Sequence, residues 1–116
     1  MNRFLFVALL AIPTVLITPA WADPGTNCHF HGKKTAAQTT IMQCADQRKT
    51  KLIEAGKLEK SWADAPQQSI GMIDGKKGKE WRVIYQNLTT TDKAKSSLYL
   101  FFTPPGNFIA ANHTGE

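Results

Sequence analysis

Between positions 35 and 55 the apolar residues recur at helical spacing. Ala37, Ile41, Cys44, Ala45, Leu52 and Ala55 fall on one side of a wheel turned by about 100° per residue, with Arg48 in mid-stripe. The pattern predicts an amphipathic helix over 35–55, its stripe widened on one flank by Met42 and Ile53, with Gln38, Gln43, Lys49 and Glu54 outside it. Gly56 follows the last periodic residue, where a left-handed cap is wanted, and Lys49, Lys51 and Lys57 suit the negative end of the helix dipole. Arg48 can bury its stem in the stripe while its head reaches a carboxylate or the sheet rim.

Beyond the helix the period shortens to two. Gln67 to Ile73 reads as a first strand with Ile70 and Met72 on one face, and Asp74-Gly75-Lys76-Lys77-Gly78 as a turn. In the second strand, Lys79 to Gln86, Trp81, Val83 and Tyr85 alternate with Glu80, Arg82, Ile84 and Gln86. A polar loop from Asn87 to Ser96 leads to a hairpin over Leu98 to Asn112. There Leu98, Leu100 and Phe102 alternate with Tyr99, Phe101 and Thr103, and Pro105-Gly106 suits the middle of a type II turn. Between helix and sheet, Ser61-Trp62-Ala63-Asp64 has the form of a capping box and predicts one helical turn, with Trp62 plugging the end of the core. The predicted fold class is α+β: one N-terminal amphipathic helix packed on a four-stranded antiparallel meander sheet.

The start of the chain stands outside this pattern. Asn2 and Arg3, an apolar run from Phe4 to Ile17 and the small-x-small stretch Ala20-Trp21-Ala22 predict a signal peptide over 1–22, cut after Ala22. The run is short for a transmembrane anchor and Pro13 interrupts it. The expected location is periplasmic or secreted. An irregular arm over 23–34, carrying Pro24, Gly25, Asn27 and Gly32, then precedes a single domain over 35–116. Only Arg3 among the 14 lysines and arginines lies in the leader, so the mature chain carries about +4. Export argues against nucleic acid as a partner and leaves anionic envelope polymers, lipid headgroups or an acidic protein. An exported chain with two cysteines predicts a Cys28–Cys44 disulfide, against a buried free thiol at Cys44 or a metal-binding thiolate at Cys28.

The stretch from Leu52 to Trp62, the strand Lys79-Glu80-Trp81-Arg82-Val83 and the hairpin from Leu98 to Gly115 resemble an uncharacterised family of small exported bacterial proteins. More loosely, they resemble PepSY-type domains. The resemblance runs from about Thr35 to Gly115. It implies a module outside the membrane, of a kind associated with inhibiting or chaperoning secreted proteases. It also brings a histidine-rich start, His-Gly-His in many members, where this chain has Cys28-His29-Phe30-His31-Gly32.

No arrangement of residues asks for catalysis. Asp64, Asp74, Glu80 and Asp92 are scattered over turns and strands, there is no nucleophile elbow, and Gly75 to Lys79 lacks the strand-to-helix setting of a phosphate loop. The chain reads as a non-catalytic binding module without a cofactor, engaging an envelope or secreted protein through its sheet face or edge. Tyr99 and Phe101 are the candidate partner-binding residues, because one helix covers only one face of the hairpin. The alternative is a copper- or zinc-binding accessory protein. His29 and His31, two apart in an extended arm, point the same way, and His113 would join them if the last strand lay beside the arm.

Overall fold

A computed structural model describes residues 28–116. The predicted signal peptide and the arm before Cys28 lie outside the described residues. Helix α1 spans Gln38–Glu54 and is followed by a 3₁₀ turn at Lys60–Asp64. Four strands follow, β1 (Gln67–Gly75), β2 (Gly78–Gln86), β3 (Ser97–Phe102) and β4 (Phe108–Asn112). They form one antiparallel sheet in the order β1-β2-β3-β4, so the α+β meander is the observed fold, with the helix inside the chain rather than at its N-terminus.

Helix α1 stops for a local reason. Gly56 takes φ +74, its N–H reaches the Ile53 carbonyl, and the N–H of Lys57 reaches the Leu52 carbonyl at 2.9 Å. This is the Schellman pattern, in which a left-handed glycine turns the backbone so that orphan carbonyls are satisfied. The 3₁₀ turn has no side-chain cap, so the capping box predicted at Ser61 does not form: its hydroxyl donates to Glu59 Oε1 at 2.8 Å instead. The β3–β4 turn also differs from expectation. Gly106 N–H donates to the Thr103 carbonyl at 2.9 Å, placing Pro104 and Pro105 at the centre and Gly106, at φ +115, after them.

The core lies between α1 and the inner sheet face. Ile41, Cys44 and Ala45 meet Trp81, Val83 and Tyr85 of β2 and Leu98, Leu100 and Phe102 of β3, with Trp62 closing one end. The helix straddles the central strands. On one flank Gln67 of β1 donates through Nε2 to the Met42 carbonyl at 2.9 Å, and on the other Arg48 Cζ stands 4.2 Å over the Phe108 ring of β4. The arginine head thus finds an aromatic rim rather than a carboxylate.

Lys49, placed outside the apolar stripe by its periodicity, is buried. Its ammonium donates to the carbonyls of Ala65 (2.9 Å) and Ala63 (3.4 Å) and lies 4.7 Å from the centroid of the Tyr85 ring. Desolvation lowers its pKa, opposed by the charges of Asp46 and Asp64. Tyr85 in turn donates to Asp46 Oδ1 at 2.5 Å, and burial first, then that carboxylate, raises its pKa far above the ordinary phenol range.

The polar loop after β2 is tied to the 3₁₀ turn through Glu59. One oxygen accepts from Ser61 Oγ and from the Thr91 amide at 3.1 Å, the other from Thr91 Oγ1 at 2.9 Å. The Ser61 hydroxyl first, then Thr90 and Thr91, hold this carboxyl down to about 2 from its ordinary 4.5. Donors that favour the charged form contribute stability present above the unfolded pKa and lost as pH falls through the folded one. Melting temperature should therefore fall between about pH 4.5 and 2, and Glu59→Gln should flatten part of that acid limb. An acid limb identical in the variant would assign it to other carboxyls.

Candidate functional site

The arm beginning at Cys28 is fixed by two devices. The Cys28–Cys44 disulfide is formed, with Cα atoms 5.7 Å apart, joining the arm to the buried face of α1. Asn107 then clasps the main chain of Phe30, accepting its N–H at Oδ1 (2.7 Å) and donating from Nδ2 to its carbonyl (2.9 Å). Alternation along the extended arm puts Cys28 and Phe30 against the core and His29 and His31 outward. The two imidazoles meet edge to face with centroids 4.9 Å apart.

His113 does not join them. Its Nδ1 lies 2.8 Å from the Ser97 carbonyl and its ring 5.8 Å from Trp62, at the end of β3 opposite the turn that receives the arm. Six residues of strand, about 3.3 Å each, separate the two ends. The three-imidazole site is therefore corrected to a pair, and Cys28 is held in its disulfide. Among the described residues no group of three or more His, Cys, Asp or Glu is placed to hold a metal ion.

Tyr99 and Phe101 do lie on the outer sheet face, opposite Leu98, Leu100 and Phe102. That face is partly covered. Phe101 is only 5% exposed, and the residues after β4 fold back so that Gly115 sits against the Tyr99 ring, its amide donating to Asn112 Oδ1 at 2.7 Å. The sequence pattern that placed these aromatics outside α1 carried no signal for this C-terminal return. Asn87-Leu88-Thr89 and Asn112-His113-Thr114 each have the glycosylation-type Asn-x-Thr form, and the Asn87 side chain is buried and donates to Ser61 Oγ.

The opposite edge has the open surface. Among the described residues no strand pairs with the outer side of β1. β1 is nine residues long, contains neither lysine nor proline, and has one irregularity, between Gln67 and Ser69. Lysine, proline and bulges are the usual ways a sheet edge is blunted, so most of β1 presents an unprotected ladder. Beside it the helix does not cover the inner face fully: Met72 of β1 is 39% exposed and Met42, on the helix flank that reaches β1, is 38% exposed. By contrast β4 is five residues long and its pairing with β3 is broken by a register shift. The predicted meander already puts β1 at an edge; what periodicity does not show is the strip beside Met42 and Met72 that the helix leaves uncovered.

The chain belongs to a family of unknown function (DUF6488), matched over residues 1–116. No curated protein and no solved structure matches it. Among the described residues no helix is long and apolar enough to cross a membrane.

Proposed function

We propose that this member of DUF6488 is an exported, non-catalytic, PepSY-like binding module that takes an extended segment of an envelope or secreted protein onto β1. The unblunted nine-residue edge carries the reading. Main-chain hydrogen bonds along such an edge supply affinity, and alternate side chains of the added strand reach the partly uncovered strip beside Met42 and Met72, where specificity arises. Export is supported by the leader-like start of the sequence and by the disulfide, which oxidising compartments preserve. The edge is favoured over the Tyr99 and Phe101 face because the chain's own C-terminal residues already cover Tyr99 and Phe101 is buried.

The test is capture of envelope proteins by the wild type and by a Ser69→Lys, Met72→Lys variant, both positions being exposed. Charges on the edge should abolish the specific partner while leaving the melting temperature within a few degrees. Equal capture of the same partner by the variant would defeat the proposal.

A second reading rests on the histidine pair: a copper- or zinc-binding accessory role through His29 and His31. Calorimetric titration with each metal should then give heat that a His29→Ala, His31→Ala variant lacks. Identical heats from both proteins would dismiss it.

A further inference from the structure

The flank of α1 that faces β4 borders a cavity that neither reading uses. Its volume is about 270 Å³, small for a ligand site and sufficient for a charged head group with a few further atoms. The disulfide forms one wall. His29, Gln47, Arg48 and Lys51 supply the polar groups, the Phe108 ring lies beneath the guanidinium, and no acidic side chain lines it.

The state of Arg48 is the telling feature. Its Cζ stands 4.2 Å above the Phe108 centroid, and among the described residues its N–H donors have no hydrogen bond or ion pair. Among the described residues neither Arg48 nor Lys51 forms an ion pair; the pair found there is Lys79–Asp74, both on the β1–β2 hairpin. Asp46, two positions before Arg48, is turned to the other flank and is committed to Tyr85 and Gln67. The cavity thus concentrates positive charge on an oriented, planar donor set with nothing anionic to answer it.

We infer that this cavity is a binding site for the oxyanion of a small molecule, a carboxylate or a phosphate. Arg48 is the bidentate anchor, Lys51 a second cation, and Gln47 with His29 further donors at the rim. The inference is independent of strand addition at β1, which lies on the other side of the helix.

Nitrogen-15 amide spectra of the purified protein, titrated separately with sodium benzoate and with inorganic phosphate at constant ionic strength, test it. Saturable shifts confined to His29, Gln47, Arg48 and Lys51 are expected. The tighter anion identifies the source, benzoate for carboxylates with an apolar body and phosphate for phosphoryl groups. Arg48→Met, which keeps a stem over Phe108, should weaken binding about tenfold or more, and exposed Lys51→Met about threefold. If Arg48→Met fails to fold, the Lys51→Met titration decides. Shifts that do not saturate by about 20 mM, or affinities unchanged in the variants, would overturn the site.

Discussion

Replacing the disulfide, as Cys28→Ser with Cys44→Ala, is expected to lower stability by about 3 kcal/mol, read as a shift of the urea midpoint against the oxidised wild type. The bond closes a loop of 16 residues, and in the chain-entropy account opening it restores that much freedom to the unfolded chain. A domain of this size has a net stability on the order of 5–15 kcal/mol, so the loss is a large fraction of the whole. Cys44 is itself part of the core and alanine leaves room there, which adds to the cost. The slope of the transition should change with the midpoint, since the uncrosslinked chain exposes more surface on unfolding. A midpoint shift equivalent to less than about 1 kcal/mol would mean that the arm is secured by Asn107 and the packing of Phe30 alone.

Trp62→Ala should be at least as damaging, at roughly 3–5 kcal/mol. The indole is 2% exposed, sits in the 3₁₀ turn between α1 and β1, and faces the ring of His113 from the far end of the sheet. Removing it opens a cavity beside His113, and the turn cannot shift toward it without disturbing the Lys49 contacts to Ala63 and Ala65. Trp62→Phe should recover much of the loss in the same denaturation assay. An alanine variant within about 1 kcal/mol of wild type would show that this end of the core collapses freely.

The contrast between these residues and others shows what the sequence could and could not disclose. Ile41, Cys44, Trp81, Val83 and Leu100 announce themselves because period and burial coincide, and a glycine after a finished helical stripe has few other uses. Lys49 did not, because its burial depends on carbonyls 14 and 16 positions away in a turn whose placement periodicity does not encode. The candidate site divides along the same line. The disulfide followed from compartment chemistry, and the side-by-side histidines from the two-residue repeat of an extended arm. The distance of His113, the covering of Tyr99 and the uncovered strip beside β1 depend on how the arm, the C-terminal return and the helix seat on the sheet, which periodicity does not encode. The Pro104–Pro105 turn was missed for a more local reason: two adjacent prolines and a glycine allow more than one registration of the same four residues.

The way Asn107 holds residue 30 has a consequence for how this protein can change. Both bonds go to peptide groups, so the attachment is blind to the side chains on either side of it, and the one substitution it forbids outright at that position is proline. Positions 29 and 31 can therefore be rewritten, whether by evolution or in the laboratory, with the arm still docked, which makes them an exchangeable display on a fixed mount.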